Sequence, residues 1–150
     1  MSDKTTTHAR ERKWQPQALK AQEIKRAKVP YDIGPDILRY AKEGWDSIPP
    51  EDRNSRFRWW GLYTQADGQG IPKGATEAVT APYFMLRIKI PGGHLRGHQL
   101  REIAKITREF ARGFGDITTR QDIQLHWIRI EHVPEILERL HTVAVFTWGA

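Results

Sequence analysis

The sequence contains no cysteine. Disulfides are thereby excluded, and so is any zinc or iron–sulfur site held by thiolates of this chain. Long apolar runs are also absent. Charged residues make up 28% of the chain and the mean hydropathy is −0.65, so nothing approaches the roughly 20 consecutive apolar residues of a spanning helix. The opening residues, Met1 to Thr7, lack the apolar core of a secretory signal, which makes a cytoplasmic location the default expectation. No His-Glu-x-x-His spacing occurs, and His94, His98, His132 and His141 show no ligand-like pairing with carboxylates. No side-chain metal site is therefore expected. Pro91-Gly92-Gly93 reads as the end of a strand rather than as a phosphate-binding fingerprint, and no serine stands out as a nucleophile.

What is present suits one globular core. The chain has 150 residues, 39% apolar and 10% aromatic. Its net charge of +6 is uneven: residues 1–28 hold eight Lys/Arg against three acids, which leaves only +1 for the remainder. Residues 1–34 are therefore expected to form a basic, extended or disordered arm, of a kind that suits nucleic acid or an acidic protein partner. Residues 35–65 read as a helical lead-in. Pro35 opens a helix that Gly44 stops, with Ile37, Leu38 and Ala41 on one stripe. Aromatic residues then cluster between Arg56 and Tyr63. Residues 66–82, rich in Gly, Thr and Ala, read as a loop.

From Tyr83 onward the pattern alternates between the two periods. Tyr83 to Ile90 is a strand with Phe84, Leu86, Ile88 and Ile90 on one face, and Tyr83, Met85, Arg87 and Lys89 on the other. His98 to Arg112 is a helix whose apolar stripe includes Leu100, Ile103 and Phe110. Residues 116–130 form one strand or a strand–turn–strand, with Ile123, Leu125 and Trp127 alternating against Gln124 and His126. Val133 to His141 is a second helix, and Val143 to Trp148 reads as a final strand. This β–α–β–α–β order over residues 83–150 predicts an α+β sandwich of ferredoxin-like type, with helices on one face of a small mixed sheet.

The second face of that sheet carries the chemistry. Arg87 can lie near Gln124 and His126 if their strands are neighbours, and Arg120 adds a fixed cation from the preceding turn. Guanidinium groups stay charged and bind carboxylates or oxyanions in bidentate fashion. The dense polar run from Asp116 to Trp127 thus reads as a holder for a large polar or anionic ligand, although Arg87 and Lys89 taken alone could equally be the solvated face of an edge strand.

Three motifs, Trp60-Gly-Leu-Tyr63, Tyr83 to Gly93 and Asp116 to Ile128, together resemble the N-terminal part of ferredoxin-dependent nitrite and sulfite reductases. The segments Gly44 to Pro49 and Val133 to Leu140 extend the resemblance, which runs from about residue 35 to the end of the chain. It implies a ferredoxin-like half-domain that cradles a siroheme with a second, similar half. A [4Fe-4S] cluster, bridged to the siroheme, serves the six-electron reduction of nitrite to ammonia or of sulfite to sulfide. Carried over by motif, Arg87 resembles the arginine that contacts the substrate anion. Arg120 and Gln121 resemble residues that meet siroheme carboxylates, Gln124 and His126 resemble strand positions facing the macrocycle, and Thr118 and Thr119 are hydroxyl donors. Ferredoxin is the implied electron donor, with no nucleic acid or membrane partner. The family's cluster cysteines have no counterpart here. The chain by itself is therefore expected not to turn over, whether as a truncated piece or as one part of a split enzyme that needs the remainder of the reductase. A different class, a stand-alone RNA-binding or interaction module, shares the α+β sandwich. It is disfavoured by a sheet face poor in aromatics and by basic charge confined to the tail.

Overall fold

The computed structural model describes residues 16–65 and 82–149. Four strands make its sheet: β1 (Leu62–Gln65), β2 (Tyr83–Ile88), β3 (Gly115–Ile117) and β4 (Ile123–Ile128), in the order β1-β2-β4-β3. The chain leaves β2, crosses helix α4 (Gly97–Phe110) and returns as β3, with β4 inserted between the two. Every hydrogen-bonded pair is antiparallel, so the sheet is not mixed as expected. A tight hairpin joins β3 to β4 and places β4, running the opposite way, beside β2. The α+β ferredoxin-like architecture stands, with the segment 116–130 resolved as strand, turn and strand.

One face of the sheet is buried under helices. Phe84, Leu86 and Ile88 of β2 and Leu125 and Ile128 of β4 are inaccessible to solvent. They share one cluster with Ile37 of α2 (Gly34–Glu43), Ile103 and Ile106 of α4, and Val133, Ile136 and Leu140 of α5 (Val133–Thr142). Each fully buried side chain of this size contributes roughly 1.5–3 kcal/mol relative to exposure. Local signals start the helices. Pro35 and Pro134 sit in first turns, and the Gln99 side chain accepts the Arg96 N–H at 2.9 Å to cap α4. Leu38 and Leu100, expected on apolar stripes, are instead 55% and 52% exposed, which leaves narrower buried stripes. On the outer side Arg139 of α5 donates to Glu102 of α4 at 2.7 Å and pairs with Glu109. The hydrogen bond from Arg139 holds the Glu102 carboxyl below its ordinary range.

Three expectations about the flanks change. The extended arm is helical from Pro16 to Ala27 (α1), because Arg56 reaches back to it. Arg56 Nη2 donates to the Ile24 carbonyl at 2.8 Å and Nε to the Lys28 carbonyl at 3.2 Å, while Nη1 pairs with buried Asp52. The lead-in holds α2 and a short helix α3 (Pro50–Asn54), but it ends in strand β1, where Leu62 is buried opposite Leu86. The final strand over 143–148 reduces to one bridge, with Lys89 N–H donating to the Phe146 carbonyl at 2.8 Å. The neighbouring amide of β2, that of Arg87, is already taken by the Gly61 carbonyl at 2.8 Å. Residues 1–15 and 66–81, and with them part of the expected arm and most of the expected loop, lie outside the described residues.

Candidate functional site

Strand alternation turns Tyr63 and Gln65 of β1, Arg87 of β2, Gln124 and His126 of β4 and Asp116 of β3 to the face away from the helices. Arg87 and Gln124 are register partners, and Gln124 in turn pairs with Asp116. With the Gln124 amide oxygen toward the guanidinium, it accepts from Arg87 Nη2 at 2.7 Å and from Nε at 3.1 Å. The same guanidinium lies 4.9 Å from the Tyr63 ring centroid, within cation–π range. Arg87 is thus held on both sides while its Nη1 donors are uncommitted to Gln124.

His126 forms a second crossing of the same face. Its Nδ1 is 3.1 Å from Gln65 Oε1 and its Nε2 is 2.9 Å from Asp116 Oδ2. The strand that carries it is irregular. Phe84 pairs with Ile128 whereas Leu86 pairs with Leu125, so His126 and Trp127 together oppose Met85 in a β-bulge. Trp127 takes a φ of 58° there. The bulge corrects the expected core face: Ile128 occupies the buried position, and Trp127 is half-buried, edge-on to Phe114 at 5.0 Å with Arg112 4.6 Å from its ring.

The Thr118–Gln121 turn is built by its own polar atoms. Thr118 N–H donates to the Asp122 carbonyl at 2.8 Å and Gln121 N–H to the Thr118 carbonyl at 2.9 Å. Thr118 Oγ1 accepts the Arg120 and Asp122 amides at 3.3 and 3.1 Å. Buried Asp122 accepts the Ile90 amide at 3.1 Å, which fastens the turn to the end of β2. Gln121, at φ 70°, packs so closely that a Cβ on Gly93 would lie 3.2 Å from its side chain. Thr119 and Arg120 are left exposed. Among the described residues the Arg120 guanidinium has no hydrogen-bond or ion-pair partner.

The structure therefore brings Arg87, Gln124 and His126 onto one face and sets Thr118, Thr119, Arg120 and Gln121 on the hairpin turn that leads into it. Sequence reasoning gave no site role to Tyr63, Gln65 or Asp116, although Asp116 opens the polar run and Tyr63 closes a resemblance motif. Only the hairpin register, with Asp116 opposite Gln124, would have revealed one of them. Chemically the set can bind and orient anions; it contains no nucleophile. Among the described residues no group of three or more His, Asp or Glu side chains could hold a metal ion, and no helix is long and apolar enough to cross a membrane.

A split crossover packed on one face of an antiparallel sheet whose other face is polar defines a ferredoxin-like half-domain. Residues 78–143 match the family described as the nitrite/sulfite reductase ferredoxin-like half domain, and this segment is such a half-domain. A ferredoxin-dependent sulfite reductase of Mycobacterium tuberculosis is 44% identical over 134 residues, which cover 86% of this chain and 24% of that protein. An assimilatory ferredoxin-dependent nitrite reductase of Haloferax mediterranei is 40% identical over 128 residues, 77% of this chain and 20% of the relative. The solved structure of the Mycobacterium tuberculosis NirA protein superimposes with a TM-score of 0.79 at 42% identity, over 85% of this chain and 24% of its own. The chain thus spans about a quarter of the length of these relatives.

Proposed function

We propose that the chain is the N-terminal part of a siroheme-dependent nitrite or sulfite reductase. In this reading Arg120, Gln121, Gln124, His126, Thr118 and Thr119 meet the siroheme, and Arg87 meets the substrate anion. The observation that carries the proposal is the unpartnered Arg120 guanidinium on a turn fastened to the polar sheet face, within a segment that matches the reductase half-domain. The donor set fits a macrocycle rich in carboxylates: a free guanidinium, a turn amide and turn hydroxyls stand beside a face on which Arg87 is held by the neutral Gln124 amide and the Tyr63 ring. When bound, the siroheme supplies the iron at which nitrite or sulfite takes up six electrons.

This chain's residues bind and orient. Arg120 offers a carboxylate a planar guanidinium fork suited to bidentate contact. Arg87, fixed by Gln124 and Tyr63, presents its remaining donors to an oxyanion with little reorganisation, which is where electrostatic stabilisation is most effective. The [4Fe-4S] cluster and its cysteines come from the rest of the reductase, in cis or in trans, because no thiolate exists here. Ferredoxin is the electron donor in this reading, as it is for the ferredoxin-dependent sulfite and nitrite reductases that the chain resembles.

Titration of the purified chain with siroheme tests this. A shifted Soret band is expected, with affinity roughly ten-fold weaker in Arg120→Ala, the loss of one charge-assisted contact. An unshifted Soret band, or equal affinity in the variant, overturns the proposal. Co-expression with the cluster-bearing remainder should then give viologen-driven reduction, and separate assays with nitrite and sulfite identify the substrate.

A further inference from the structure

The polar face extends beyond Arg87 and the hairpin turn. Its opposite end holds Tyr83 of β2, which shares the parity of Arg87, and Trp127 of the β4 bulge. Tyr83 is the register partner of Gln65, and the Trp127 ring lies 5.7 Å from that of His126. Over both rings stands Arg112, just past the C-terminal end of α4. Its Cζ lies 4.6 Å from the Trp127 centroid and 5.7 Å from that of Tyr83, within cation–π range. Arg112 and Trp127 both take left-handed backbone, at φ 55° and 58°, which residues with a Cβ adopt only at a cost. Among the described residues the Arg112 guanidinium has no hydrogen-bond or ion-pair partner. Those of Arg56, Arg129 and Arg139 each meet an acid. Ring faces position a guanidinium without using its N–H donors, which stay free for a planar anion.

We propose that Arg112 is a further anion-binding residue of this face and takes a carboxylate of the ligand received there, which the siroheme reading identifies and on which this proposal rests. Tyr83 and Arg87 stand four residues apart on β2, roughly 13 Å of strand. One small anion cannot engage both ends. Between them lie Met85 and its register partner Tyr63, both uncharged. The carboxylate of β3, Asp116, is turned to His126 Nε2 at 2.9 Å. Cations at two ends of an uncharged middle suit a broad, flat polyanion that carries its acids at the rim. A macrocycle rich in carboxylates has that form, and Arg112 would hold the edge farthest from Arg87.

Titration of the 150-residue chain with metal-free siroheme, which keeps every carboxylate, tests this by arginine side-chain NMR and by affinity. The Arg112 Nε–H resonance should shift as the ligand binds. Arg112→Gln removes the charge and should bind about ten-fold more weakly, the loss of one charge-assisted contact. Arg112→Lys keeps the charge without the fork and should lose only about three-fold. The double variant Arg112→Gln/Arg120→Ala should lose about a hundred-fold, the product of two separate contacts. A residue that only shields Trp127 would instead lower the urea midpoint and leave affinity unchanged. Affinity unaltered in Arg112→Gln, or an Arg112 resonance that stays fixed while the chain binds, overturns the proposal and leaves the siroheme reading standing. Failure of the unsubstituted chain to bind removes both.

Discussion

The two faces of this sheet are held by different physics. Under the helices, Phe84, Leu86, Ile88, Leu125 and Ile128 are sealed from water, and stability there comes from close-packed apolar area. On the other face Arg87, Gln124, His126 and Asp116 satisfy one another in cross-strand pairs. Such half-exposed pairs add little net stability, but they fix side-chain directions. One face therefore decides whether the chain folds, and the other decides what the folded chain can hold. Sequence periodicity sees this division clearly, because apolar and polar residues alternate along β2. It does not see how the polar residues pair.

The largest expected effect lies on the helix side. Phe84 is fully buried, with Trp45 and Phe57 rings at 4.9 and 5.4 Å. Phe84→Ala should lower unfolding free energy by about 3–5 kcal/mol, read as a reduced urea midpoint; a shift below about 1 kcal/mol would break the division between the faces. Next comes the seam beside β2. Gly61 has a φ of 75°, and a Cβ there would lie 2.6 Å from the Arg87 carbonyl and 2.9 Å from the Thr147 carbonyl. Both obstacles are backbone, so Gly61→Ala should cost about 3 kcal/mol through strain and overpacking, measured in the same way.

Much of this was legible from residues alone, and the failures have identifiable causes. The helices α2, α4 and α5 announce themselves by proline, glycine and stripe spacing, and β2 by strict alternation. The β4 alternation misassigned Trp127 because a bulge inserts a residue without leaving a mark on apolar periodicity. Strand β1 was hidden inside an aromatic block whose partner, β2, lies some twenty residues on. The α1 helix carries no strong stripe; its C-terminal end is tied down by the distant Arg56. On the polar face, Arg87, Gln124 and His126 follow from strand parity. Gln65 and Asp116 reach His126 from other strands, so only tertiary structure pairs them.

A smaller effect sharpens the comparison by locating a polar pair on the helix side. The Tyr40 hydroxyl, in α2, donates to buried Asp52 at 2.7 Å. Burial first, and then the hydrogen bond to Asp52 and its negative charge, push the Tyr40 hydroxyl from an ordinary value of 10.0 up to about 12. A raised folded value means that the neutral form is favoured by folding. The associated stability is fully present below pH 10 and is lost as pH rises toward 12. Urea midpoints measured from pH 8 upward should fall above pH 10 in the unsubstituted chain and stay flatter in Tyr40→Phe. Equal slopes would mean that Tyr40 ionises as it does in the unfolded chain.

The smallest stability effects separate the sheet face from its turn. Arg87 is engaged by Gln124 and Tyr63, so Arg87→Ala strands a half-buried amide and should cost about 1 kcal/mol. The Arg120 guanidinium has no hydrogen-bond or ion-pair partner among the described residues, and the turn below it is built from backbone amides, Thr118 Oγ1 and Asp122. Arg120→Ala should therefore leave the urea midpoint within about 0.5 kcal/mol of the unsubstituted chain. An unspent cation on a rigid turn is retained at no structural gain, which is why its worth must be sought in a ligand. If Arg120→Ala were as destabilising as Arg87→Ala, Arg120 would be part of the scaffold, and the distinction between a preorganised face and a ligand-ready turn would collapse.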